Sequence, residues 1–256
     1  MLKSERQQYI LQTVNDEGRA LTNDLTAKFG VSEDTIRKDF QALARAGKVL
    51  RTHGGVLKIQ DENVDLNIRI SQHPLAKKIL AKEAIHLITD KHVLFIDAGS
   101  TNMYFAEQLP SDYCGTIITN DPSIVLCLCA HNNINLVMMG GTVDKSSRCI
   151  AGTNAISQLE TLNIECCLLG VGAISPENGI TYPTQEEAIL KQTIVKQSKC
   201  VITMPTKNKL GKINTFFGCN TSDIDYLITD ETDEAVLQEY TQLGIHVISV
   251  PFLETE

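Results

Sequence analysis

With 256 residues, 43% of them apolar and 21% charged, the chain is long enough for one or two domains with a sizeable core. Its longest apolar run, IVLCLCA at residues 124–130, is far too short to span a bilayer, and the opening MLKSERQQYI has no apolar signal core, so an uncleaved cytoplasmic protein is expected. The net charge of −8 divides unevenly: residues 1–60 carry ten Lys/Arg against seven Asp/Glu, a net +3, and the rest carry −11, which argues against a whole-surface polyanion binder but leaves room for a head that binds one.

SERQQYILQTVNDEG predicts a first helix, with Ser4 and Gln7 as a capping-box pair, Ile10, Leu11 and Val14 as its apolar face, and Gly18 as its stop. LTNDLTAKFG predicts a short second helix, with Leu25 and Phe29 four apart and Gly30 closing it. The turn GVS leads into a third, capped by Ser32; Ile36, Phe40 and Leu43 share its inner face while Arg37, Lys38, Gln41 and Arg45 point elsewhere. VLRT and VLKI flank HGG, which suits a small hairpin. Three helices plus a hairpin over residues 1–58 make a winged helix-turn-helix.

Residues 59–74 have little periodicity and read as a linker, and LAKKILAKEAIHLI follows as a helix. From Val93 onward, VLFID, TIIT, INLVMM, CCLLGV, CVITM, DYLIT and IHVISV are short continuous apolar runs, mostly separated by helical or loop segments. Such runs are buried parallel strands, so residues 75–256 are expected to form a doubly wound α/β domain. None of the eight cysteines falls in the first 113 residues, and no CxxC or zinc-finger spacing occurs, so neither a metal nor a cofactor is expected. Cys166 and Cys167, inside ECCLLG, read as small hydrophobes on a buried strand.

A helix-turn-helix lays its second helix in the major groove, with the first residues nearest the base edges. Here those are Glu33, Asp34, Thr35, Arg37 and Lys38, whose side chains supply donors for guanine, acceptors for cytosine and a methyl for thymine. Ser32 and the helix start can hold a phosphate, and Arg51, Thr52 and His53 on the wing suit the backbone or minor groove. Glu33 with Arg37 and Asp34 with Lys38 are also i,i+4 pairs, which could serve surface stability alone. TIRKDFQALARAGKVLRTHGGV resembles the DNA-binding signature of the DeoR-type family of bacterial transcription regulators, the match running from Val31 to Val56. It departs at Phe40, where the family usually has leucine, and at Leu21, where a serine often caps the second helix; Thr22 could serve instead.

In the body, FIDAGSTN is a strand ending in Asp97, followed by Gly99, Ser100 and Thr101 at a helix start. Backbone N–H groups and two hydroxyls there can form an anion site, although a plain strand-to-helix turn has the same look, and no Walker loop is present. ITND, MMGGTV and LLGVGAIS end further strands, and polar, glycine-rich strand ends converge on one crevice in an open α/β sheet. DAGST, ITN, MGGT, GVGAIS, GIT, EEAILK and the lysine of NKLGK resemble, in order, the effector domain of the same family. That resemblance implies a fold like ribose-5-phosphate and glucosamine-phosphate isomerase domains, and a phosphorylated sugar or related metabolite as effector. It places Asp97, Gly99, Ser100, Thr101, Thr119, Asn120 and Gly141 around the effector, with Lys209 as a positive charge near phosphate. Thr206 and Lys207 depart from the family's Asp-Ser-Ser-Lys-Phe-Gly and make that corner more basic.

The expected function is a DNA-binding regulator, a repressor of a sugar-catabolism operon, with operator DNA and a sugar phosphate as partners, working as a homo-oligomer (dimer or tetramer) without membrane contact. The alternative is a phosphosugar isomerase-like enzyme with an appended DNA-binding head. Glu187 and Asp97 are its candidate bases, with Glu187 and Lys191 reading as a surface salt bridge.

Overall fold

The computed structural model describes residues 3–45, 48–52, 54–57 and 66–251. The chain divides into two compact units, residues 1–72 and 73–256.

The first unit runs α1 (Lys3–Glu17), β1 (Arg19–Leu21), α2 (Thr22–Phe29), α3 (Glu33–Arg45), β2 (Leu50–Arg51), β3 (Gly55–Leu57) and α4 (Leu66–Ser71). Its core is Ile10, Val14, Leu25, Ile36, Phe40 and Leu43 from the three helices, closed by Ala20, Val49 and Val56 from the strands and their approach. The strands form an antiparallel sheet in the order β1-β3-β2. β1 is absent from the sequence expectation, because a three-residue strand with one buried side chain is too short to show alternation. Two expected caps are used differently. Ser4 lies inside α1, and Gln7 donates Nε2 to Asp39 Oδ1 at 3.1 Å. Thr22 is the first residue of α2 and gives no cap bond; its N–H and its hydroxyl both donate to the Gly54 carbonyl, each at 3.0 Å, which ties the helix start to the wing.

Asp39 is the buried charge of this unit. It is 1% exposed and receives Arg6 Nε at 2.5 Å as well as Gln7, joining α3 to α1 across the core. The linker expected over residues 59–74 is corrected in part: Leu66–Ser71 is helical and α5 already begins at Pro74. Leu66 and Ile70 stand four apart, a helical spacing that two turns make too short to notice. Residues 58–65 lie outside the described residues.

The second unit continues with α5 (Pro74–Ile85), β4 (Val93–Ile96), α6 (Ser100–Glu107), β5 (Gly115–Thr119), α7 (Pro122–Leu128), β6 (Ile134–Met138), β7 (Thr142–Val143), β8 (Ile150–Ala151) and α8 (Thr153–Leu159). It ends with β9 (Cys166–Leu169), β10 (Ala173–Ser175), β11 (Gly179–Tyr182), α9 (Gln185–Lys196), β12 (Val201–Thr203), β13 (Phe216–Cys219), β14 (Tyr226–Thr229), α10 (Glu234–Thr241) and β15 (His246–Ser249). Seven strands form one sheet, parallel throughout, in the order β15-β14-β12-β9-β4-β5-β6, and they are the seven apolar runs of the sequence. From β4 the chain winds one way through β5 and β6, then crosses back to β9 and winds the other way. The reversal puts a topological switch point between β4 and β9. A small antiparallel sheet, β10-β11-β13, and the β7-β8 pair are additions that the sequence did not announce. Cys166 and Cys167 are buried thiols on β9. No helix among the described residues is long and apolar enough to cross a membrane.

Removing one partner of a buried ion pair strands the other, at a cost of about 3 kcal/mol. Asp39→Ala should therefore loosen the first unit by that amount, read as roughly hundredfold faster amide exchange across α3 in the full chain.

Candidate functional site

On α3, Ser32 caps the helix as expected, its Oγ accepting the Thr35 N–H at 3.3 Å and lying 3.0 Å from the Thr35 hydroxyl. Ile36, Asp39, Phe40 and Leu43 are buried, so Glu33, Asp34, Arg37 and Lys38 are turned outward. Both i,i+4 pairs form: Arg37 Nη2 on Glu33 Oε2 at 3.0 Å, and Lys38 Nζ on Asp34 Oδ2 at 2.7 Å. The hydrogen bond to Asp34 raises the Lys38 pKa. All four side chains are more than half exposed, so the pairs are weak and their members can exchange partners for base edges. Arg51 and Thr52 are exposed on the wing, where the Thr52 N–H donates to the Gly55 carbonyl at 3.0 Å; His53 lies outside the described residues.

In the second unit six of the expected effector residues gather at the carboxyl ends of the neighbouring strands β4 and β5, beside the switch point, while Gly141 follows β6 and Lys209 follows β12. The residues lie in two layers. The inner layer is buried and already bonded. Asp97, fully buried, takes Lys191 Nζ at 2.6 Å and Asn120 Nδ2 at 3.0 Å on Oδ1, and the Gly170 N–H at 2.8 Å on Oδ2. Asn120 Oδ1 in turn accepts the Ala98 N–H at 2.8 Å, and Thr119 Oγ1 accepts the Asp121 N–H at 3.1 Å. Asn102 donates to the carbonyls of Asp97 and Leu168 at 2.8 and 2.9 Å, sewing β4 to β9. Gly170 permits this closeness, since a side-chain carbon there would lie 2.6 Å from the Ala98 carbonyl and 2.9 Å from Asp97 Oδ2. Asp97 and Asn120 are thus framework groups in this state, not groups facing the crevice.

The outer layer is Gly99, Ser100 and Thr101, half-buried, where α6 starts with Gly99 as a cap that offers no side chain. Gly141 is exposed with a positive φ of 152°, which favours glycine, and a side-chain carbon there would meet Ile150 Cγ2 at 2.8 Å. Lys209 is half-buried on a short 3-10 turn, Lys207–Lys209, beyond the carboxyl end of β12. A separate cavity of about 480 Å³ lies by the small sheet, lined by Asn178, Thr181, Asn214 and Phe217 among others; none of the expected effector residues lines it.

Lys191 is the residue that sequence reading misplaced. It is not a surface partner of Glu187, whose Oε1 stays 3.9 Å away; it is fully buried on Asp97. Burial pulls the ammonium pKa down, but the Asp97 carboxylate and further anionic neighbours outweigh it and hold the net value above the usual one. A raised lysine pKa stabilises the fold fully below the unfolded value near 10.4 and is lost only as pH rises through the folded value, so the pair holds across the neutral range. The framework role of Asn102 was also missed, whereas Gly170 lies in LLGVGAIS, one of the glycine-rich strand ends expected at the crevice. Among the described residues, no group of three or more His, Cys, Asp or Glu is placed to hold a metal ion.

Lys191→Ala should leave Asp97 buried and unpaired and lower stability by about 3–5 kcal/mol. Glu187→Gln should cost under about 1 kcal/mol. Thermal unfolding of the two variants separates them.

Comparison with known proteins gives two family matches: the DeoR-like helix-turn-helix domain over residues 6–62 and the DeoR C terminal sensor domain over residues 72–231. The HTH-type transcriptional regulator GlpR of Haloferax volcanii is 30% identical over 253 residues, covering 97% of this chain and 98% of its own. The HTH-type transcriptional repressor GlcR of Bacillus subtilis is 29% identical, covering 90% of this chain and 89% of its own, and the L-fucose operon activator of Escherichia coli K12 is 29% identical, covering 91% and 98%. A solved ribose 5-phosphate isomerase A from Methanocaldococcus jannaschii is similar over 52% of this chain and 53% of its own, at 15% identity and a TM-score of 0.38.

Proposed function

The chain belongs to the DeoR family of transcription regulators, and from that premise we propose that it represses a sugar-catabolism operon and is released from its operator by a phosphorylated sugar or a related metabolite. The observation that carries this reading is the uncapped start of α6 at the switch point, with Ser100 and Thr101 on it and Lys209 beyond the nearby end of β12. Helix N–H groups favour an anion, two hydroxyls suit phosphate oxygens, and a lysine adds charge. The layer beneath supports a binding role over a catalytic one. Asp97, one candidate base for an isomerase, is buried and bonded to Lys191, Asn120 and Gly170; Glu187, the other, lies near the Lys191 ammonium. Sugar isomerisation needs a base within reach of a substrate carbon. The relatives carry regulator names of both signs, and repression is the sign proposed here.

The operator half of the reading rests on the outward face of α3. A head of net +3 binds DNA weakly by itself at physiological salt, so two or four heads on a symmetric oligomer supply the affinity through effective concentration. Effector binding then favours an arrangement whose heads no longer match the half-site spacing, which requires different effector affinities in the two states.

Arg37→Ala or Lys38→Ala should cost about 1–3 kcal/mol of specific operator affinity with folding intact. Fluorescence anisotropy with labelled upstream DNA measures it, and unchanged binding by both variants would remove α3 from the groove. Lys209→Ala should bind operator normally without effector but need roughly ten- to a hundredfold more sugar phosphate to let go. Release at the wild-type effector concentration would place the phosphate elsewhere.

A further inference from the structure

Residues 122–143 contain no Asp, Glu, Lys or Arg, the longest such run in a chain of which 21% is charged. The run spans α7, β6 and β7, and much of it lies at the surface: Leu126 is 77% exposed, Met138 46%, Val143 42% and Val137 39%. Residues 61–256 carry a net −11, so two copies repel each other over most of this unit, but not here.

β6 is also an end strand. The main sheet stops there, and β6 pairs with β5 alone. Met139, just past it, donates its N–H to the Thr119 carbonyl at 2.9 Å. Backbone groups alternate sides along a strand, so Asn135 and Val137 face β5 as well. Ile134, Leu136 and Met138 therefore turn their N–H and C=O groups to the open edge. Edge strands are ordinarily guarded by a charge, a proline, a bulge or a cover. β6 has no charge and no proline, its register with β5 runs without a shift, and no strand among the described residues pairs with its outer side. The other end strand, β15, is guarded. Pro251 stops it two residues on, and Ser249 Oγ donates to the Glu231 carbonyl at 2.6 Å, within the acidic stretch of residues 230–234.

An uncharged strand edge fits another uncharged strand edge. A twofold axis through Leu136 sets two copies of β6 antiparallel. Leu136 then exchanges backbone hydrogen bonds with Leu136 of the second copy. Ile134 meets Met138 on the same face, Asn135 meets Val137 on the other, and no pair contains a charge. Such a contact closes on itself: it uses the edge of both copies and leaves none open to further pairing. We propose that the open edge of β6 is the surface on which a second copy of this chain docks, strand against strand, so that one sheet runs through both. The proposal rests on the reading that the protein works as a symmetric oligomer.

Val137→Lys tests it, because that side chain is exposed in the single copy and the substitution puts an unpaired ammonium into the contact. Sedimentation of the full-length protein at micromolar concentration gives the mass, and thermal melting reports folding. Wild type should sediment as a dimer or tetramer. Val137→Lys should melt as wild type does, sediment at half the wild-type mass, and associate roughly hundredfold or more weakly. Its operator affinity should fall with it, since fewer heads remain on one assembly. In wild type the Leu136 and Met138 amides should exchange slowly in the assembly and quickly once it is diluted apart. An unchanged mass for Val137→Lys, or exchange of those two amides at the open-edge rate in assembled wild type, overturns the inference and leaves the oligomer standing. A monomeric wild type overturns both. Should Val137→Lys fail to fold, the exchange of wild type decides alone.

Discussion

A carboxylate and an ammonium removed from water are tolerated only when each satisfies the other and every remaining lone pair and proton finds a partner. Asp97 and Lys191 meet that condition at the centre of the second unit, 2.6 Å apart and 0% and 1% exposed at their side chains. Their positions decide much else. Asp97 directly follows β4 and draws in the Gly170 N–H from beyond the end of β9, while its own carbonyl and that of Leu168 share the Asn102 amide. Asn120, from the end of β5, bonds the same carboxylate and the next backbone N–H. Three strand ends and one helix are thereby fixed around a neutralised pair, and the start of α6 is presented on a rigid base.

The same physics recurs in the first unit with a different product. Asp39 sits on the inner face of α3 and is met by Arg6 and Gln7 of α1. A charge-assisted contact of that kind sets the rotation of α3 about its own axis more sharply than apolar packing can, since it admits only one geometry. With Asp39 turned inward, Arg37 and Lys38 have nowhere to go but out.

How far the sequence could be read follows from these particulars. The seven strands of the main sheet were legible because strands buried on both faces are unbroken apolar runs. The sheet β10-β11-β13 was not: its strands have three or four residues, Gly179 opens β11 at φ 75°, Gly218 interrupts β13, and the register shifts between Ile180 and Thr181. The outward residues of α3 were legible as the complement of Ile36, Phe40 and Leu43. The buried charges were not, since Glu187 with Lys191 has the spacing of a surface pair. A signal existed: Lys191 stands three from Ala188 and three from Ile194, both buried, and Asp39 lies within the stripe of Ile36, Phe40 and Leu43. A charge inside an apolar stripe announces a buried partner. The left-handed backbone at Arg148, φ 57°, leaves no trace in composition or period.

The junction of Thr22 with Gly54 has a mechanical meaning. Two donors from one residue converge on one carbonyl, and Gly55 beside it packs so closely that an added side-chain carbon would lie 2.2 Å from the Ala20 carbonyl. The wing is thus fastened to the strand and helix that precede the recognition helix, and it cannot swing as a separate arm. The first unit therefore behaves as a single stiff tool: its wing and its helices are displaced together, and whatever moves one must move the other.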